Sequence, residues 1–173
     1  MKRELECSIE DLLLLNQQIA EFQKNSEEEE TFVIPVKISY TIHVNEQEVV
    51  KHMVKYDNQR LELIRKHVEF DENGNAKTAE VEVHGKKQRN YVLKDEKAYE
   101  VAHTKLLQEK IKIKFYVYKE DENDLKGMSG KQKILNQMWC LIDIFSNWNN
   151  PECINFKTEI EQIAKEGEKS GDQ

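Results

Sequence analysis

The stretch PVKISYTIHV, Pro35 to Val44, constrains this chain more than any other, because it fits two incompatible local structures. Alone it alternates, with Val36, Ile38, Tyr40, Ile42 and Val44 set against Lys37, Ser39, Thr41 and His43, the period-2 pattern of a half-buried strand. Read onward, Ile34, Ile38, Ile42, Val49, Met53, Tyr56 and Leu63 fall close to one face at helical spacing, and the alternation stops at Asn45. The density of β-branched residues favours the strand, so a strand followed by a shorter helix is the competing reading. Pro35 favours the helix, since proline is tolerated in a first turn and is awkward in a central strand. The helical reading predicts one helix from Pro35 to about Val68, roughly 50 Å long at 1.5 Å per residue. A helix of that length either lies along another long helix or self-associates.

The other segments are read the same way. Ser8-Ile9-Glu10-Asp11 matches a helix-start box, and Leu12, Leu15, Ile19 and Phe22 then recur on one face, predicting a first helix from about Ser8 to Lys24. Asp71 to Asn75, DENGN, has turn chemistry. AEVEVHGKKQRNYVL reads as a hairpin around Gly85, with Val81 and Val83 answering Tyr91 and Leu93. Asp95 is placed to cap a third helix that buries Tyr99, Ala102, Leu106 and Leu107. Ile111 to Tyr118, IKIKFYVY, is the cleanest strand: Ile111, Ile113, Phe115 and Val117 face one way, Lys112, Lys114, Tyr116 and Tyr118 the other. It is expected to pair with the hairpin. Ser129 to Gln132 fits a capping box before a buried fourth helix with Ile134, Leu135, Met138, Trp139, Leu141, Ile142 and Phe145. Asn149-Asn150-Pro151 ends it, and Ile154, Ile160 and Ile163 suggest a short last helix. The expected fold is α-rich α+β: four to five helices, one of them long and amphipathic, with a small antiparallel sheet of about three strands. One domain is expected over 1–166, followed by a flexible tail at 167–173.

Composition agrees. A charged fraction of 34%, an aromatic fraction of 8% and only two prolines suit a charged helical protein better than a turn-rich sandwich. The net charge of -7 argues against direct binding to nucleic-acid backbones, which rests on Lys and Arg neutralising phosphates, and points to a basic protein partner. Three cysteines, Cys7, Cys140 and Cys153, have neither disulfide nor zinc spacing. The start MKRELECSIED lacks an apolar run, and Leu12 to Leu15 is too short to span a membrane, so a soluble intracellular protein is expected.

Candidate chemistry is sparse. DENGNAKTAEVE, Asp71 to Glu82, places Asp, Asn, Asn and Glu as a calcium loop would, but the required glycine is Ala76 and the following residues read as strand, so a plain turn is expected. On a continuous second helix His43 and His52 point to opposite faces, and His52 and His67 lie roughly 22 Å apart, so neither pair shares a metal. His84 and His103 read as ordinary surface or half-buried residues. Cys140 sits in an apolar helical run and reads as a small core residue. No nucleophile-elbow, zinc-protease, phosphate-loop or dinucleotide motif occurs, so no enzyme activity and no cofactor are expected. Lys86 to Arg89, KKQR, reads as a solvated turn before it reads as a nucleic-acid contact. Two surfaces are candidates for binding a partner. One is the acidic run Glu27, Glu28, Glu29 and Glu30, which reads otherwise as a charged linker. The other is the stripe of Lys112, Lys114, Tyr116 and Tyr118, which is a docking face if left open and core with snorkelling lysines if covered.

Taken in order, the run PVKISYTIHVNEQEVVKHMVKYDNQRLELIRKHVEFDENGN, a charged patch and YVLKDEKAYEVAHTKLLQEKIKIKFYVY resemble a group of small proteins encoded by tailed phages and prophages of Gram-positive bacteria. The features carrying the resemblance are Leu12 to Leu15, Pro35 with Lys37, Asn45, Arg60, Asp71 to Gly74, and Leu106 to Ile113. It spans about Ser8 to Tyr118; the length of the hairpin and the region beyond depart from it. The resemblance supports the helical reading of PVKISYTIHV and implies a phage origin with expression in the host bacterial cytoplasm. It transfers no catalytic or ligand residue. The expected function is that of a non-enzymatic interaction protein, leaning to an acidic inhibitor of a host defence or nucleic-acid-handling complex, with self-association through the long helix as a further expectation. The alternative is a virion assembly factor such as a tail or head chaperone.

Overall fold

A computed structural model describes residues 1–83, 86–119 and 128–147. The element order is β1 (Lys2–Ser8), α1 (Ile9–Glu27), α2 (Val36–His67), β2 (Thr78–Val83), β3 (Lys86–Tyr91), α3 (Glu96–Leu107), β4 (Lys110–Tyr116) and α4 (Gln132–Ser146). The described part is thus α+β with four helices and two antiparallel sheets of two strands each, β1 with β4 and β2 with β3.

PVKISYTIHV is helical. Pro35 occupies the N-cap, and α2 runs unbroken to His67, burying Ile38, Ile42, Asn45, Val49, Met53, Tyr56 and Ile64. Leu63, on the same sequence face, is half-buried. The β-branched Thr41 is accommodated because its hydroxyl donates to the Lys37 carbonyl at 2.8 Å, which satisfies it inside the helix. At the other start, Ser8 and Asp11 form the expected reciprocal capping box: the Asp11 N–H donates to the Ser8 hydroxyl oxygen at 3.1 Å and the Ser8 N–H to the Asp11 carboxylate at 3.1 Å. Asp95 likewise accepts from the Ala98 N–H at 2.9 Å and starts α3.

The principal core lies between α1, α2, α4 and the inner face of the β1–β4 sheet. Leu12, Leu15, Ile19, Phe22, Ile38, Val49, Ile113, Phe115, Met138, Leu141 and Phe145 form it, with the Phe115 and Phe145 rings 5.1 Å apart. One polar residue is buried there completely. Asn45 donates to the Tyr116 carbonyl at 2.8 Å and accepts the Tyr116 N–H at 2.6 Å, so its amide does what a neighbouring strand would do for the edge of β4. A second long-range junction joins the α1–α2 connection to the approach of α4. Val33 and Ser129 exchange backbone hydrogen bonds of 2.9 and 3.1 Å, and Gly130, at φ +149°, lies so close to Phe32 that a Cβ there would sit 2.6 Å from the ring.

Several expectations are corrected. β4 does not pair with the hairpin; it pairs with β1, in a register running from Lys2 opposite Tyr116 to Ser8 opposite Lys110. KRELECS shows only Leu5 and Cys7 on its inner face, too few apolar residues to signal a strand before its partner is known. The hairpin is tighter than expected: Val83 pairs with Lys86, Val81 with Gln88 and Thr78 with Tyr91, while Leu93 bridges to Val68. A short connection fixes register, and every pairing shifts with it. The fourth helix is capped at Lys131 without a side-chain bond, because the Ser129 hydroxyl donates instead to the Thr31 carbonyl at 2.7 Å. Trp139 and Leu135 are half-buried, and α3 has no fully buried residue. The expected last helix at Ile154 to Ile163, the break at Asn149 to Pro151, the domain limit at 166 and the tail at 167–173 lie outside the described residues.

Candidate interaction surfaces

The acidic run does not form a uniform patch. Glu27 ends α1, Glu28 caps it, and Glu30 is exposed. Glu29 is used internally: one carboxylate oxygen lies 2.7 Å from the Lys131 ammonium, and the other accepts the Thr31 hydroxyl at 2.6 Å. These bonds, the one from Lys131 foremost, hold the Glu29 carboxyl below its ordinary pKa and raise that of Lys131. Glu29 therefore belongs to the junction of Val33 with Ser129, and three carboxylates remain outward.

The stripe on β4 divides in the middle. Lys112 and Lys114 stand on the open outer face of the sheet, yet Glu4 of β1 lies 3.8 and 3.6 Å from their ammonium groups, and Glu6 is the register partner of Lys112. Tyr116 turns against Tyr40 of α2, edge to face at 6.0 Å between ring centres, and Tyr118, beyond the strand end, is buried in the core. What stays open is a ladder of mixed charge, a poor platform for an unpaired nucleic-acid strand, which needs aromatic rings and uncompensated cations.

The β2–β3 hairpin contrasts with this. Every side chain described between Thr78 and Tyr91 is exposed, including Val81 and Tyr91. The hairpin stands out as an arm rooted by backbone bonds from Glu69 N–H to the Val92 carbonyl, Lys77 N–H to the Glu69 carbonyl and Lys94 N–H to the His67 carbonyl, each 2.8 Å. Its two strands are oppositely charged: Glu80 faces Arg89 and Glu82 faces Lys87. Lys87 and Arg89 of the basic cluster KKQR thus stand opposite acid while Lys86 stands opposite Val83, and among the described residues neither outer edge has a strand beside it: that of β2 carries Glu80 and Glu82, that of β3 carries Lys87 and Arg89. Below the arm Asp71 accepts from the Asn73 and Asn75 N–H groups at 2.9 and 2.8 Å, chiefly the latter depressing its pKa. Its carboxylate is committed to the turn, and Glu82 is carried off on β2, so the residues with calcium-loop spacing do not converge. Among the described residues no three His, Cys, Asp or Glu side chains are grouped to hold a metal.

Two features escape sequence inspection. His103 stacks on Tyr99 at 5.6 Å and lies 3.0 Å, through Nε2, from the Tyr56 hydroxyl, while His67 meets Tyr99 edge-on at 6.0 Å. Burial raises the Tyr56 pKa, so the phenol keeps its proton, and this half-buried cluster is what seats α3 on α2. The second is the outer face of α2, where Val36, Tyr40, Val50, Val54 and Leu61 are all exposed. At its N-terminal end an apolar groove of about 560 Å³ opens between Met1, Val36, Tyr40, Tyr116 and Val117. The spacing of those residues in the sequence could have revealed this second face; the stronger inner face concealed it.

No helix among the described residues is long and apolar enough to cross a membrane. Comparison with protein families, with curated proteins and with solved structures returns no match.

Proposed function

We propose that this chain is a non-enzymatic, phage-encoded interaction protein that docks a basic protein partner through the β2–β3 arm. The observation that carries the reading is the exposure of both faces of the arm together with the open acidic edge of β2. A two-stranded ribbon without a hydrophobic face is marginal in water, and a third strand added at its edge supplies main-chain hydrogen bonds. A partner strand bearing Lys or Arg at alternate positions would sit beside Glu80 and Glu82. The overall charge of -7 would steer such a partner to the protein. In the form suggested by the resemblance to phage proteins, the partner is a basic, nucleic-acid-handling complex of the host, blocked by occupation of its basic surface. The alternative, a virion assembly factor, is favoured by the repeating apolar face of α2, since assembly proteins are commonly symmetric oligomers.

The test is affinity capture from bacterial lysate at two salt concentrations, using the natural chain, Glu80→Gln/Glu82→Gln, and Glu27→Gln/Glu28→Gln/Glu30→Gln, followed by assay of the purified target. Support requires one host complex whose capture weakens with salt and with the Glu80/Glu82 substitutions, and whose activity the natural chain inhibits. Equal capture by the Glu80/Glu82 variant would remove the arm from the interface. Recovery of phage morphogenesis proteins alone, after infection, would select the assembly reading.

A further inference from the structure

The outer face of α2 has a pattern that the monomer leaves exposed, although Tyr40 meets Tyr116 edge-on, His43 bonds to Gln47 and Asp57 lies 3.5 Å from Arg60. Val36, Tyr40, His43, Gln47, Val50, Val54, Asp57 and Leu61 follow one another at alternating spacings of four and three residues, and all are exposed. This is the seam spacing of a helix meant to lie along another helix. It differs in phase from the inner face, which buries Ile38, Ile42, Val49 and Tyr56 against the core. Five of the eight seam residues are apolar, and the pattern extends over nearly the whole of α2.

From this we infer that the chain forms a homodimer in which α2 packs antiparallel on α2 of a second copy. The occupant is argued from charge and symmetry. A parallel pair would set Asp57 against Asp57 and His43 against His43 at the seam, two like-with-like contacts in a position that excludes water. The antiparallel pair centred between Glu48 and Val49 uses all eight positions and avoids both. Leu61 then meets the second copy's Val36 at the mouth of the apolar groove, and Asp57 lies beside the second copy's Tyr40, whose hydroxyl can donate to it. Val50 meets Gln47 and Val54 meets His43. Of the flanking residues, Lys37 faces Asn58 and Ser39 faces Arg60, so neither flank opposes like charges. Such an arrangement is isologous, the same patch on both partners, and closes at two copies. It leaves the β2–β3 arm outside the seam, so the dimer stands or falls independently of the partner proposed above.

Sedimentation equilibrium across a concentration series, on the natural chain and on Val50→Glu and Leu61→Glu, tests this. The expected result is a reversible dimer barely weakened by salt, converted to monomer by either substitution with unchanged helical circular dichroism. Orientation is read from a spin-label amino acid at Val36: the antiparallel pair places the two labels about 38 Å apart at 1.5 Å per residue, whereas a parallel pair places them within about 10 Å. A chain that stays monomeric throughout, a dimer indifferent to both substitutions, or the short label distance would each overturn the inference.

Discussion

The β1–β4 sheet and the β2–β3 arm are ribbons of seven and six residues per strand, yet they stand at opposite ends of how a strand pair can be held. In the first, Ile113 and Phe115 are buried against α4 and α2, and the Asn45 amide serves the free edge of β4. In the second, no described side chain is buried, and the strands cohere through their backbone ladder, with Glu80 and Glu82 in register with Arg89 and Lys87. The lesson is that hydrogen-bonded pairing alone does not give a strand pair its stability. Burial of one face does, and a ribbon lacking it is suited to meeting something else.

That contrast is most severely tested at Phe115. Replacing this fully buried ring by Ala should cost about 3–5 kcal/mol, measured by urea unfolding followed by circular dichroism. A loss below about 1 kcal/mol would mean that the ring is not packed as described, and the distinction between the two sheets would collapse.

Asn45→Ala should come next. The substitution leaves the Tyr116 N–H and carbonyl without their partner in a buried place. At roughly 1–3 kcal/mol for an orphaned buried polar group, a loss of about 2–4 kcal/mol is expected. Leu at this position should not rescue, because the missing quantity is hydrogen bonding and not volume. Rescue by Leu would show that the edge of β4 is satisfied in some other way.

Gly130→Ala probes the other tie within the welded half. The added methyl would meet the Phe32 ring, and the backbone is in a region that residues with a Cβ rarely adopt. A loss of about 1–3 kcal/mol is expected, as for other overpacked sites. Phe32→Leu should relieve part of it by vacating the ring edge; failure of that relief would assign the cost to backbone strain alone.

How much of this was legible in the sequence follows the same division. The helices were readable because each declares itself locally: Ser8 with Asp11, Pro35 before a regular inner face, and Asp95 before α3. The strand at β4 was readable from its alternation, but its partner was not. Whether IKIKFYVY pairs with KRELECS or with the hairpin is a non-local matter, and Leu5 and Cys7 are too few apolar residues to announce it. The same limit misplaced Ser129, whose capping-box spacing is real but whose hydroxyl is taken by Thr31 across the fold. The candidate surfaces fared similarly. Composition located Glu27 to Glu30 but could not show that Lys131 claims Glu29, and alternation put Tyr118 on an outer face although the strand ends before it.

Acid should separate the root of the arm from the sheet core. The Asp71 carboxyl has a pKa depressed from an ordinary 3.8 by the Asn75 and Asn73 N–H groups. A depressed carboxyl stabilises the folded turn above the ordinary value, and that contribution is lost as pH falls through the folded value. Glu29, depressed from 4.5 chiefly by Lys131, follows the same sign at the Val33–Ser129 junction. Amide exchange of Asn73 and Asn75, corrected for intrinsic rates, should therefore accelerate below the ordinary carboxylate range while the Ile113 and Phe115 amides keep their protection. Uniform loss of protection at both places would instead indicate one cooperative unit.

The smallest effect is expected in the arm itself, and it is the most informative about function. Val81→Ala shortens an exposed side chain that belongs to no buried cluster, so it should change the stability of the isolated protein by no more than about 0.5 kcal/mol. Glu80→Gln/Glu82→Gln should be nearly as mild, because both carboxylates are exposed and charges in register across an exposed ladder contribute little in water. If the arm binds a partner strand, the same substitutions acquire consequences only in the complex: Val81 becomes covered, and the two carboxylates lose solvent screening. A Val81→Ala effect on the free protein approaching that of Asn45→Ala would mean that the arm already packs within the monomer. Silence of Val81 and of both glutamates in the captured complex would leave the arm a solvated flap, and binding would have to be sought on another face.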